Sequence, residues 1–395
     1  MLSVQEAQEK LKKYHLPIRR TINIPLHEAN NRVLAETIVA PFSLPYFRQS
    51  SVDGYALLKE SLEEPIPLKV VYHSAAGNKN AIELQKGEVC RVFTGAPIPL
   101  NANLVLMQEW VDRIGDELVL TDRVQFNNAF IREIGSDIKK GTVAMPEGSI
   151  ISPSVIGFLA AMGIHRVEVV DLPKVHIIVT GNEIKALGKP LHFGEVYDAN
   201  THMLQAVLQQ MGIQSIISSR VTDNLAATVQ QINEAAINAD LVLISGGVSV
   251  GDYDFVPQAV TEAGFQIIFH KIKQRPGKPL LAAYKQGCTL FGLPGNPSSV
   301  LTCFYLYVAP LLAAIMHQTN QLWQLQQAPL LQTISTPANL TCFLKAQLLP
   351  NGVLPLTAQA SYQMSDFALA NALIEVPEGV ALLEESTMVN CYQIL

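Results

Sequence analysis

Leu241-Val242-Leu243-Ile244-Ser245-Gly246-Gly247-Val248-Ser249-Val250-Gly251-Asp252-Tyr253-Asp254 is the stretch whose reading decides the fold. Its first four residues are apolar without alternation. A strand of that kind is buried on both faces, as in a parallel sheet covered by helices on both sides. The glycine-rich polar segment begins where the strand ends. Outward from it, strand-like runs stand at 175–179, 213–217, 265–269 and 289–293. Helical patterns occupy 200–211 and 225–237, and another begins at Asn296. The alternation predicts a multidomain α/β chain whose 171–320 portion is a three-layer α/β domain with a mostly parallel sheet. Ligands of such sheets sit at the carboxyl ends of the strands, so residues placed there are the candidates for chemistry.

In the quoted stretch, Gly246, Gly247 and Gly251 allow close approach of backbone to a ligand, and free N–H groups beside Ser245 and Ser249 can hold an anion. Asp252 and Asp254 bind a metal or order the turn. No Lys follows the last glycine, which excludes a Walker loop. Thr180-Gly181-Asn182-Glu183 closes the 175–179 strand with an anion-binding turn and a carboxylate suited to a divalent cation. Asp223 closes the next strand. Each loop alone reads equally well as a capped turn. Together, three strand ends bring Glu183, Asp223 and Asp254 to one sheet edge, a set suited to Mg²⁺ bridging a phosphate.

Two further segments favour anions. Lys271-Ile272-Lys273-Gln274-Arg275-Pro276-Gly277-Lys278-Pro279 gathers four cations, and its prolines fix where Lys278 points. The plain alternative is a solvated basic loop. Gly292-Leu293-Pro294-Gly295-Asn296-Pro297-Ser298-Ser299 opens a helix, with Asn296 as N-cap and Pro297 at the first helical position. Its first-turn N–H groups and macrodipole face an anion. No charge occurs from Ser298 to Met316, long enough for a membrane span. The capped start, the hydroxyls of Ser298, Ser299 and Thr302, and Pro310 instead indicate a buried core helix kinked at Pro310.

Elsewhere, Ser3 and Glu6 form a capping box before Val4, Ala7 and Leu11 on one helical face. Residues 20–42 read as a short strand and helix. Short runs at 68–72, 88–93, 104–107 and 118–120 predict a β-rich domain, and 320–395 a small terminal β domain. A helix at 154–162 is closed by Gly163. Ser50-Ser51-Val52-Asp53-Gly54-Tyr55-Ala56 reads as part of a long loop, and Arg132-Glu133-Ile134-Gly135-Ser136-Asp137-Ile138 as a turn.

Bulk properties narrow the function. The 395 residues are 49% hydrophobic and 16% charged, a folded composition, and the net charge of −6 argues against a nucleic-acid partner. Five cysteines without a Cys-x-x-Cys pair argue against a disulfide framework and a structural zinc site, and fit a reducing cytoplasm. The charged Ser3-Val4-Gln5-Glu6 start argues against a signal peptide, and no membrane partner is expected.

Taken together, these segments resemble the MoeA-type molybdopterin molybdenumtransferases, related to the E domains of gephyrin and its plant counterpart. The resemblance runs from about Ser3 to the end. It rests on 45–56, Phe93-Thr94-Gly95-Ala96-Pro97, 105–109, 132–141, Thr180 to Glu183, Ser245 to Asp254, Arg275 to Pro279 and Gly292 to Pro297. It implies a split N-terminal domain (1–45 and 130–170) carrying an inserted β-rich domain (46–129). A MogA-like α/β domain (171–320) and a C-terminal β domain (321–395) follow. It implies a homodimer in which the N-terminal half of one subunit completes the site of the other.

The implied substrates are adenylylated molybdopterin and molybdate, with Mg²⁺ as cofactor; transient contacts with the adenylyltransferase and molybdoenzyme chaperones are implied as well. The resemblance assigns catalysis to Asp53, Thr94, Asp137, Glu183, Asp223 and Asp254, the last three also holding metal. Substrate binding falls to Thr180, Gly181, Ser245, Gly246, Gly247, Ser249, Gly251, Asp252, Gly295, Asn296 and Pro297. Molybdate falls to Arg275, Lys278, Pro279, Ser299, Lys345, Ser361 and Ser365.

The chain departs from the family pattern at Arg48-Gln49, Val52, Asn182 and Lys345. Lys345 replaces an Arg and loses the bidentate fork for an oxyanion. Two other readings compete. A gephyrin-like binding scaffold has no need of six retained polar site residues. A molybdopterin adenylyltransferase has no need of the N- and C-terminal regions.

Overall fold

Strand Leu241–Ser245 lies inside a six-stranded sheet ordered Ile216–Val221, Val175–Thr180, Leu241–Ser245, Cys288–Leu293, Leu281–Lys285, Gln266–His270. The first four strands run parallel, Leu281–Lys285 runs against them, and Gln266–His270, antiparallel to Leu281–Lys285, returns to their direction. The computed structural model describes residues 1–14, 20–124, 130–249, 254–317 and 324–394. They form two compact units, one of Met1–Ile22, Asn31–Val33 and Val169–Leu395, the other of Asn23–Asn30 and Leu34–Glu168.

In the first unit the unbroken apolar runs have a direct explanation. Leu241 and Leu243 join one core layer with Leu204 and Leu208 of helix Asn200–Gln210 and with Val300 and Phe304. Val242 and Ile244 join the opposite layer, with Ile232 of helix Leu225–Asn238 and Ala259 and Val260 of helix Val256–Glu262. Successive side chains point to opposite faces, so burial of both layers demands an apolar residue at every position. Helix Val4–Leu11, with its capping box formed, packs Val4, Ala7 and Leu11 into the first of these layers. It packs within the unit that holds the α/β sheet. Strand Leu281–Lys285 escaped the sequence reading because Ala282 and Ala283 carry little strand signature.

The charge-free run is a core helix, 89% of its most apolar stretch being buried. It comprises Pro297–Cys303, a π-helical turn Phe304–Val308, and Ala309–Ile315. Pro310 has no N–H to give to the Leu306 carbonyl, which accepts from Gln8 Nε2 at 3.3 Å instead. A second sheet orders Gln274–Arg275, Thr341–Leu349, Ala372–Val376, Met388–Gln393 and Gln324–Pro329. The basic loop therefore contributes a strand to this C-terminal sheet. The first residues of the expected terminal β domain, 320–323, lie outside the described residues.

The second unit holds a sheet ordered Leu104–Met107, Gly54–Leu57, Glu88–Val92, Leu68–Ser74, Glu117–Leu120, Val111–Ile114. Gly54–Leu57, expected in a loop, is a fully buried inner strand. A Cβ on Gly54 would stand 2.1 Å from the Leu106 carbonyl oxygen, so only glycine permits this strand spacing. The helix predicted at 154–162 spans Pro153–Ala161, capped by Ser152. In 20–42 the helical part is a single 3-10 turn, Leu26–Glu28. All five cysteines are buried and unpaired.

Candidate active site

The carboxyl ends of Val175–Thr180 and Leu241–Ser245 and the turn after Cys288–Leu293 line a cavity of about 610 Å³, a size typical of small-ligand sites. Thr180, Gly181, Glu183, Asp223, Ser245, Gly246, Gly247, Ser249, Asp254, Pro279, Gly295, Asn296 and Pro297 all line it. Gly251 and Asp252 lie outside the described residues. Gly246 (φ 97°) and Gly247 (φ 66°) form the turn. A Cβ on Gly246 would lie 2.7 Å from Thr180 Oγ1, so the two strand ends meet there without room for a side chain.

Thr180 Oγ1 and Asn200 Oδ1 are buried without a hydrogen-bond partner among the described residues, and both residues line the cavity. Orphan polar atoms of this kind mark positions for a ligand or ordered water. Asn200 was not anticipated. Its Nδ2 donates to Ser245 Oγ and to the Gly295 carbonyl, both at 2.8 Å, and so ties a strand end to the turn before the core helix. In the sequence it reads only as the first residue of a helix.

The carboxylates sit on constrained turns. Asn182 N donates to Asp223 Oδ2 at 3.1 Å, and Asp223 N returns a 3.4 Å bond to Asn182 Oδ1. Arg220 donates to the Gly181 carbonyl at 3.1 Å. The Glu183 carboxylate folds back against Gly181, within 3 Å of where a Cβ would stand. The expected three-carboxylate metal set does not form as a closed cage. Among the described residues no three His, Cys, Asp or Glu groups converge as metal ligands. Glu183, Asp223 and Asp254 share the cavity from separate strand ends.

Arg275 and Lys278 are exposed on their loop, while Ser298 and Ser299 are buried in the first turn of the core helix, Ser298 Oγ without a partner among the described residues. Asn296 does not cap that helix with its side chain, contrary to the sequence reading. Its Nδ2 reaches Ser361 Oγ at 2.8 Å, in the C-terminal domain. Lys345, 2% exposed, spends its ammonium on the carbonyls of Ala360 (3.2 Å) and Gln363 (3.0 Å), and burial lowers its pKa. It therefore holds the turn that carries Ser361, rather than reaching into the cavity. Ser365 is exposed on the same segment.

In the other unit, Asp53 Oδ1 accepts from Thr94 N at 2.8 Å and Thr94 Oγ1 at 2.9 Å. These two bonds hold its carboxyl below the usual range, with help from Arg91. Arg91 went unnoticed in the sequence because it reads as an ordinary strand residue. It lies 4.7 Å from the Tyr55 ring centroid and 4.9 Å from that of Phe93, and donates to Gln108 Oε1 at 2.6 Å. Asp137 is exposed, its N–H donating to the Leu44 carbonyl at 3.0 Å.

Comparison with known proteins bears on this arrangement. Residues 2–163 match the model of the MoeA N-terminal region (domain I and II), and 176–314 that of the probable molybdopterin binding domain. The chain belongs to the MoeA family. It is a transferase of molybdenum cofactor biosynthesis. The Staphylococcus epidermidis molybdopterin molybdenumtransferase is 35% identical over 388 residues, 96% of this chain and 92% of that one. Molybdopterin molybdenumtransferase 2 of Mycobacterium tuberculosis is 30% identical, with 100% of each covered. Two solved structures of the Pyrococcus horikoshii molybdopterin biosynthesis MoeA protein superpose with TM-scores of 0.85 and 0.82 at 29% identity, each covering 100% of this chain and 99% and 100% of the solved ones. At position 182 both bonds to Asp223 use groups that an Asp would also offer, the backbone N–H and a side-chain oxygen, so the structure gives no reason for the departure at Asn182.

Proposed function

We propose that the chain takes adenylylated molybdopterin and molybdate, hydrolyses the phosphate anhydride with release of AMP, and leaves molybdenum on the dithiolene as molybdenum cofactor. One observation carries the reading. Three carboxylates share a cavity with two glycine turns and the start of a helix whose first-turn N–H groups have no side-chain cap. Amides of Gly246 and Gly247 and of the helix's first turn receive phosphate oxygens. A cavity carboxylate accepts the proton of the attacking water.

Mg²⁺ fits the donor set. It takes one or two carboxylates beside water and substrate phosphate, and needs no three-ligand protein cage. Glu183, Asp223 and Asp254 would offer the one or two carboxylates to hold it, and it would offset charge developing on the phosphoryl oxygens. Arg275 and Lys278, with Pro279, Ser299, Ser361 and Ser365, bind molybdate through charge-assisted and hydroxyl hydrogen bonds. Lys345 stands behind the turn bearing Ser361.

The working unit in this reading is a homodimer. Asp53, Thr94 and Asp137 of one subunit serve the cavity of the other. The adenylyltransferase delivers the substrate and molybdoenzyme chaperones receive the product. Five buried, unpaired cysteines support a reducing, cytoplasmic setting.

Incubation with adenylylated molybdopterin, Mg²⁺ and molybdate should release AMP and form the cofactor. No AMP sinks the proposal, and transfer of AMP from ATP to free molybdopterin would instead indicate an adenylyltransferase. Inactive D53A and E183A chains, mixed and re-associated, should regain activity if the site is shared between subunits. Persistent inactivity would place all of its residues within one chain.

A further inference from the structure

Beneath the cationic loop runs a buried polar chain that the reaction, as described, leaves unused. Gln274 is fully buried, with its two side-chain polar atoms committed in opposite directions. Its Oε1 accepts from the Tyr307 hydroxyl at 2.5 Å, and its Nε2 donates to the Pro276 carbonyl at 2.8 Å and faces Cys303 Sγ at 3.7 Å. Gly277 (φ 94°) rests directly on Cys303, since a Cβ there would lie 2.4 Å from the sulfur. Tyr307, 1% exposed, belongs to the π-helical turn Phe304–Val308. Such turns within α-helices recur at functional sites. The loop's backbone is closed above this chain by Ile272 N donating to the Lys278 carbonyl (2.9 Å) and Leu280 N donating to that of Gly277 (3.2 Å).

The buried side of the loop is thus pinned to the core helix, while Arg275 and Lys278 emerge exposed and Pro279 lines the cavity. We propose that Tyr307 and Gln274 are positioning residues for molybdate binding, anchoring residues 274–279 from below so that the two cations are preset for an oxyanion. This rests on the molybdate reading of the loop. Preorganisation of this kind lowers the ordering cost that binding would otherwise carry. A core pair that merely satisfied its own hydrogen bonds would stabilise the fold without tuning the loop.

The test uses the full chain. Y307F keeps the ring and removes the donor. It should raise half-saturating molybdate about tenfold, the size of one lost buried hydrogen bond, and leave turnover at saturating molybdate within about twofold. Amide hydrogen exchange should quicken across 274–280 and not across 241–245. Q274M, which breaks the same link from the other side, should give both shifts. V260A, in the opposite core layer, serves as a control of comparable stability loss and should give neither. Unchanged exchange and unchanged molybdate dependence in folded Y307F and Q274M would overturn the proposal, as would equal shifts in V260A. K278A separates the two claims. If it leaves molybdate saturation untouched, the molybdate reading of the loop fails, and the exchange data alone then decide whether the anchor exists.

Discussion

Gly246→Ala tests the contact that sets the geometry of the cavity. At φ 97° an L side chain costs about 1–2 kcal/mol. Its Cβ would stand 2.7 Å from Thr180 Oγ1 and 2.9 Å from the Thr180 carbonyl oxygen. Overpacking of that kind adds about 1–3 kcal/mol. The smaller unfolded-state entropy of alanine returns about 0.4–1 kcal/mol, for a net loss of about 3 kcal/mol at mid-range. Gly287→Ala is the matched control in the same sheet: its φ is 92°, and nothing lies within 4 Å of its Cβ position. Only strain and entropy act there, a net loss of about 1 kcal/mol. By calorimetry, G246A should lower the Tm of this unit by about 6–12 °C and G287A by about 2–4 °C. A shift of about 1 Å in the turn bearing Ser245 and Ser249 should cut AMP release about 100-fold in G246A. Equal Tm losses in the two variants, with turnover intact in G246A, would refute the claim that the strand ends meet in obligatory contact.

Two other outcomes follow from proton linkage. A carboxyl held low stays ionised until the pH falls through its lowered value, and Asp53 is held low first by the Thr94 amide and then by the Thr94 hydroxyl. T94V should therefore move the acid limb of kcat/KM to higher pH; an unmoved limb would assign it to another group. Burial lowers the pKa of Lys345 from 10.5, so between the lowered value and 10.5 the unfolded chain binds more protons and stability rises with pH. K345M should flatten that slope and, by freeing the 360–363 turn, loosen the Asn296–Ser361 link. A slope equally steep in K345M would contradict a buried ammonium.

The parts of the fold legible in the sequence were those where one residue's polarity reports its own surroundings. Leu241 to Ile244 must be apolar because both layers of the core claim them, and the cavity falls at their carboxyl end. Gly54–Leu57 was opaque because its requirement lies in another strand: the Leu106 carbonyl, 52 residues on in sequence, forbids a side chain at Gly54. The same distinction runs through the site. Glu183, Asp223 and Asp254 were found as acids at strand ends, but not that Asp223 is engaged by Asn182. Asn296 precedes a proline-started helix and has every local reason to cap it. The Ser361 hydroxyl, 65 residues on, wins its side chain instead. Lys345 announces a cation, while its acceptors are two backbone carbonyls that carry no sequence signal at all. A donor's chemical type is written in its own residue. Its partner is chosen by the fold, and in this chain those choices link the cavity rim to the C-terminal domain.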